Sequence, residues 1–206
     1  MNRILGIYVA EAARLLGEGL SIPEIDRAAM NEGMPVGPFA LLDEVGIDVA
    51  AAVSRTLVSA FGARFQAGET LSWLLQAGRL GRKSGAGFYR HAPSFAADAA
   101  VSKILGIEWA MAKRGPKSSQ LSFDAADRLL LSISAEARRA MADGVVESPD
   151  SADLAAIFGF GYPAHRGGPL RDLARRGADG EARLAELHHK YGEVFAAAAA
   201  VGSPTP

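Results

Sequence analysis

The stretch Asn2-Arg3-Ile4-Leu5-Gly6-Ile7-Tyr8-Val9-Ala10-Glu11-Ala12-Ala13-Arg14-Leu15-Leu16-Gly17-Glu18-Gly19 returns, changed, at Asp127-Arg128-Leu129-Leu130 through Ala135-Glu136-Ala137 to Gly144. The offset is a constant 125 residues. Leu5, Val9, Ala12 and Leu16 form one stripe at helical spacing, with Ile4, Tyr8 and Leu15 beside it. That period predicts an amphipathic helix in each copy. The parallel continues: Asp26-Arg27-Ala28-Ala29-Met30 matches Asp153-Leu154-Ala155-Ala156-Ile157, Met34-Pro35 matches Tyr162-Pro163, and Gly37-Pro38 matches Gly168-Pro169. Four matches in order imply two related helical units. Such units pack about a pseudo-twofold axis, as a homodimer would.

The rest of the chain reads the same way. Ser21-Ile22-Pro23-Glu24 has the form of a capping box, and its helix should end near Gly33. Phe39 to Val45 predicts a short helix, Asp48 is a candidate cap for another through Phe61, and Thr70 for a third. Leu80 to Tyr89, rich in Gly and basic residues, reads as irregular. A weak helix near Ala96 to Met111 and a loop over 113–119 form a connection. Longer helices are expected from Asp124 to Met141, from Ser148, and from Gly180 to Val201. Period-2 alternation is nowhere sustained, so the fold class is all-α, without a Rossmann sheet. The division is 1–92, a linker at 93–121, and 122–206.

Composition narrows the function. The 206 residues are 49% hydrophobic and 22% charged, enough for a packed core. Lys plus Arg number 22 against 23 Asp plus Glu, and a net charge of −1 argues against a nucleic-acid binder. With no cysteine, there is no disulfide, thiolate metal site or thiol nucleophile. No apolar run approaches the roughly 18 residues of a membrane span, and no signal peptide opens the chain. The cytoplasm is the expected compartment.

Local motifs are mostly decoys. Gly85-Ala86-Gly87 begins like a dinucleotide fingerprint, but Arg90 stands at the third glycine and no strand precedes it. Arg79, Arg82, Lys83 and Arg90 form a basic cluster that reads as a phosphate contact or, more simply, as a solvated face. His188 and His189 are neighbours on a helix and point about 100° apart, so no metal site is expected. Asn2 reads either as a frayed terminal residue or as an amide able to orient an imidazole or a carbonyl.

Three segments carry a resemblance: Asn2-Arg3-Ile4-Leu5, Met34-Pro35-Val36-Gly37-Pro38-Phe39-Ala40-Leu41-Leu42-Asp43-Glu44-Val45-Gly46-Ile47-Asp48, and Gly78-Arg79-Leu80-Gly81-Arg82-Lys83-Ser84-Gly85-Ala86-Gly87-Phe88-Tyr89. Together they resemble the C-terminal domain of the NAD-dependent 3-hydroxyacyl-CoA dehydrogenases. Phe158 to Leu170 is similar to the second copy of that domain in the multifunctional fatty-acid oxidation α-subunit. The resemblance implies oxidation of an L-3-hydroxyacyl-CoA, with hydride passing to NAD. It implies that a Rossmann domain, in cis or in trans, binds the NAD and supplies a His–Glu pair. It assigns Asn2 a catalytic role and places Val36, Pro38, Phe39 and Leu42 near the acyl chain, although apolar core is an equal reading for these four. Asp127 stands at the position of Asn2 in the second copy, which fits a copy kept for packing. No NAD site is expected on this chain, which alone should be inactive. The alternative is a non-catalytic dimerisation or acyl-CoA-binding module, with a homodimer as one assembly.

Overall fold

The computed structural model describes residues 1–106 and 117–196, the side chains of 117–122 excepted. Nine α-helices are seen among the described residues. The first half holds α1 (Asn2–Gly17), α2 (Ile22–Asn31), α3 (Pro38–Val45), α4 (Ile47–Phe61), α5 (Thr70–Gln76) and α6 (Ala99–Ile104). The second holds α7 (Lys117–Ala142), α8 (Pro149–Phe160) and α9 (Pro169–Tyr191). The expected all-α class holds, with one addition. Tyr89–Arg90, at the end of the stretch read as irregular, pairs antiparallel with Ala96–Ala97, where the weak helix is expected to begin. The pairing is too short to show a period in sequence.

Local chemistry explains most boundaries. Ser21 and Glu24 form the expected capping box, Glu24 accepting from the Ser21 backbone at 2.8 Å. Asp48 and Thr70 do not cap: Gly46 and Glu69 precede α4 and α5, and both residues sit inside their helices. The helix expected from Gly180 starts earlier, at Pro169, and bends at Gly177, whose φ of 56° and ψ of −136° are non-helical. It ends at Tyr191 before Gly192, and its expected extension past residue 196 lies outside the described residues. The weak helix expected over 96–111 is the short α6, and its continuation past residue 106 also lies outside them.

The repeat is visible as matched contacts. Arg128 of α7 donates from Nε to Glu11 of α1 at 2.6 Å and reaches Glu18 at 2.6 Å. Its counterpart Arg3 pairs with Glu136 of α7 and reaches Asp143 at 2.6 Å. Arg14 donates to the Arg64 carbonyl at 2.5 Å, and Arg139 donates to the Val194 carbonyl at 2.9 Å. Asp26 accepts from the Phe39 and Ala40 amides at 2.9 and 3.1 Å, and Asp153 from the Leu170 and Arg171 amides at 2.7 and 3.1 Å.

Each half completes the other's core. Ile4, Tyr8, Ile25 and Phe39 are buried with Leu129, Leu130 and Ile133 of α7. A second cluster joins Ile7, Leu57 and Phe65 to Leu131, Leu173, Leu187 and Phe195. Burying these side chains removes apolar surface at about 25 cal/mol per Å², and neither half does so without the other.

Candidate functional site: an apolar cleft with an amide at its mouth

The exposed side of α1 faces α3 and α4 across a cleft of about 350 Å³. Leu5, Gly6 and Val9 of α1 form one wall, and Leu41, Leu42 and Val45 of α3 another. Val49, Val53 and Leu57 line it from α4, at the four-residue spacing that puts side chains on one helix face. Phe65 closes the deep end, and Gly159 and Phe160 of α8 reach in from the second half. The lining is almost wholly apolar, with Met1, Val45 and Val49 exposed at its edge.

Asn2 stands at the mouth as the first residue of α1. It is exposed, and among the described residues its amide meets no partner. The adjacent first-turn backbone N–H groups have no partner within the helix, and the dipole there favours partial negative charge. An oxygen arriving from solvent would therefore meet an amide donor and a positive helix end beside apolar walls.

Of the four residues placed near an acyl chain by the sequence, only Leu42 lines the cleft. Phe39 is buried in the core with its ring 4.5 Å from that of Phe88. Pro38 starts α3 and is buried, and Val36 sits half-buried in the turn before it. Sequence reading missed Gly6, Val45, Val49, Val53 and Leu57. The stripe Val49, Val53, Leu57 was the available signal, but it looks identical to a packed helix face.

The basic cluster is largely neutralised. Arg79 pairs with Asp98 at 2.9 Å, Arg82 with Glu44 at 2.6 Å and Lys83 with Asp48 at 2.5 Å. Gly85-Ala86-Gly87 does not fit a dinucleotide. It is a turn pressed onto α3, where a side chain on Gly87 would lie 1.9 Å from Asp43 Oδ1. Asp43 holds that turn by accepting from the Phe88 and Tyr89 amides at 2.7 and 2.9 Å and contacting His91 Nε2 at 2.8 Å. Neither Gly37, at φ −73°, nor Gly87 has the positive φ that a tight turn invites. Both are glycine because a carboxylate side chain occupies the space of a Cβ. Among the described residues, no three His, Asp or Glu side chains cluster as metal ligands, and no helix is long and apolar enough to cross a membrane.

The buried carboxylate of Asp26 also accepts from Tyr89 Oη at 2.8 Å. Burial pushes its pKa up to about 6, against the pull of three hydrogen bonds. Asp127, the counterpart of Asn2, is paired with Arg176 at 2.9 Å and Arg183 at 2.8 Å.

Residues 1–91 match the family model described as 3-hydroxyacyl-CoA dehydrogenase, C-terminal domain. The chain is 39% identical over 204 residues to the fatty acid oxidation complex subunit alpha of Shewanella amazonensis, covering 97% of this chain and 28% of that protein. It is 41% identical over 203 residues to the same-named subunit of Shewanella sp. strain ANA-3, covering 95% and 28%. The chain thus spans little more than a quarter of the curated relatives it matches. A crystal structure of 3-hydroxybutyryl-CoA dehydrogenase from Escherichia coli K12 superposes with a TM-score of 0.72 at 23% identity, covering 97% of this chain and 58% of that one, which shows a shared fold. Residues 1–91 are thus identified by that match as a domain of the 3-hydroxyacyl-CoA dehydrogenase C-terminal type.

Proposed function

We propose that this chain is the substrate-cleft portion of an L-3-hydroxyacyl-CoA dehydrogenase of fatty-acid β-oxidation. One observation carries the reading: the unpartnered amide of Asn2 stands at the mouth of a cleft with apolar walls. The acyl chain lies along Leu42, Val49 and Val53, losing its contact with water. Asn2 donates to the substrate oxygen and accepts from the imidazole of the catalytic base. That base and the NAD belong to a Rossmann domain joined in cis or in trans, and no residue here is assigned to the dinucleotide. Residues 1–92 and 122–206 are the two copies of the helical domain, joined by 93–121. The second serves packing, because Asp127 is held by two arginines. A cytoplasmic location and a homodimeric assembly belong to the same proposal.

The test is NADH oxidation with acetoacetyl-CoA, for the chain alone and mixed with a separately expressed NAD-binding domain from the same genome. Turnover is expected only in the mixture. Asn2→Ala should lower kcat by about 10²-fold, the scale of one lost oxyanion donor, with an unchanged melting temperature. Turnover by the chain alone would sink the claim that it lacks the dinucleotide site. A mixture indifferent to Asn2→Ala would sink the assigned role and favour the packing module.

A further inference from the structure

We propose that Gly6 sets the length of acyl chain the cleft accepts. The inference rests on the acyl reading above and adds a specificity-determining residue to it. Gly6 lies on the α1 wall, against the deep end. A Cβ built there would sit 2.3 Å from Leu57 Cδ1 and 3.4 Å from Phe65 Cδ1. Leu57 Cδ1 is the free end of a rotatable side chain that itself lines the cleft. A side chain at position 6 therefore displaces Leu57 into the cavity, and the far end of the cleft fills first.

The second copy is the same scaffold with that change already made. At the 125-residue offset, Gly6 corresponds to Leu131. Leu42 corresponds to Leu173, each four residues past the proline that opens its helix. Leu57 and Phe65 correspond to Leu187 and Phe195, at equal spacing from Gly62 and Gly192. Those two glycines share one backbone geometry, φ 81° and ψ −166° against φ 84° and ψ −156°. Leu131 is fully buried in one cluster with Leu173, Leu187 and Phe195. The α1 position left bare at Gly6 thus carries a buried leucine in the second copy.

The mouth is closed as well. Asn2, Val45 and Val53 become Asp127, Arg176 and Arg183, joined by two ion pairs. Other lining positions change too: Val9, Leu41 and Val49 correspond to Ser134, Asp172 and Asp179, so the second copy lacks both the bare α1 position and the apolar rim. On the acyl reading above, the ligand class is an acyl thioester, its chain held by the apolar walls beyond Asn2.

The experiment titrates butyryl-, octanoyl-, dodecanoyl- and hexadecanoyl-CoA into the full chain, with free CoA as the control. Each methylene that fits should tighten binding about fourfold. Gly6→Leu should remove the gain beyond butyryl-CoA, and Gly6→Ala should shorten the favoured length. Leu57→Ala should lengthen it, and carries the test by itself if Gly6→Leu does not fold. Variants whose length dependence parallels that of the unaltered chain would overturn the inference and leave the acyl reading standing. An unaltered chain that binds no acyl-CoA better than CoA would overturn both.

Discussion

Arg128 donates from Nε to Glu11 at 2.6 Å in the interior, with both side chains fully buried. The repeat makes Arg3 on Glu136 its mirror image, so each half contributes one cation and one anion to the α1–α7 contact. A buried pair of this kind is a weak source of net stability, but breaking it strands a charge.

Glu136→Ala should therefore destabilise by about 3–5 kcal/mol. It leaves Arg3, Arg64 and Arg139 without their shared carboxylate. Because both cores take side chains from both halves, unfolding should remain one transition. Urea denaturation followed by circular dichroism and by tryptophan fluorescence checks both points. Two separated transitions would disprove the shared core.

Asp26 should make stability pH-dependent in an unusual direction. Its folded pKa is about 6, above the ordinary 3.8, so the folded state holds the proton more tightly. Its contribution is full below about pH 4 and is lost as pH rises through 6. The span is at most about 3 kcal/mol. Asp26→Asn should flatten the stability profile between pH 4 and 6. A profile unchanged by the substitution would refute this.

Glycine substitutions separate crowding from backbone strain. Gly37→Ala puts a Cβ 2.3 Å from Asp26 Cβ and 2.4 Å from its Cα, backbone that cannot rotate away. Gly37→Ala and Gly87→Ala should each cost about 1–3 kcal/mol. Gly17, the last residue of α1, with nothing within 4 Å of a Cβ, should gain up to about 0.5 kcal/mol as alanine. Melting temperatures of the three variants provide the check, and equal shifts would contradict it.

Phe39 and Leu42 should separate by assay. Phe39→Ala should cost about 3–5 kcal/mol by emptying a core site. The loss shows in the melting temperature, with acyl-CoA affinity unchanged below the transition. Leu42→Ala should weaken acyl-CoA binding. Calorimetric titration distinguishes them, and an affinity loss in Phe39→Ala would restore it to the cleft.

The sequence by itself determined the all-α class and most of the helices, because hydrophobic period is a local property of the chain; it misplaced the caps at Asp48 and Thr70 and the start of the last helix, which packing sets. Of the site residues the resemblance named, Asn2 and Leu42 lie at the cleft, whereas Val36, Pro38 and Phe39 do not line it. The sequence could not say which apolar residues are covered. Leu5 and Val9 share the helical stripe of α1 with Ala12 and Leu16, yet the first two line the cleft while the latter are buried. Hydrophobic period reports that a helix has an apolar face, not what meets that face. Nor could it show that Arg3, Glu11, Arg128 and Glu136 are interior: as single residues they read as solvated charges, and only the crossing of α1 and α7 pairs them. The cleft lies where α1 meets α3 and α4, and Gly6 approaches Leu57 there across more than 50 residues of chain. Tertiary packing alone decides such contacts.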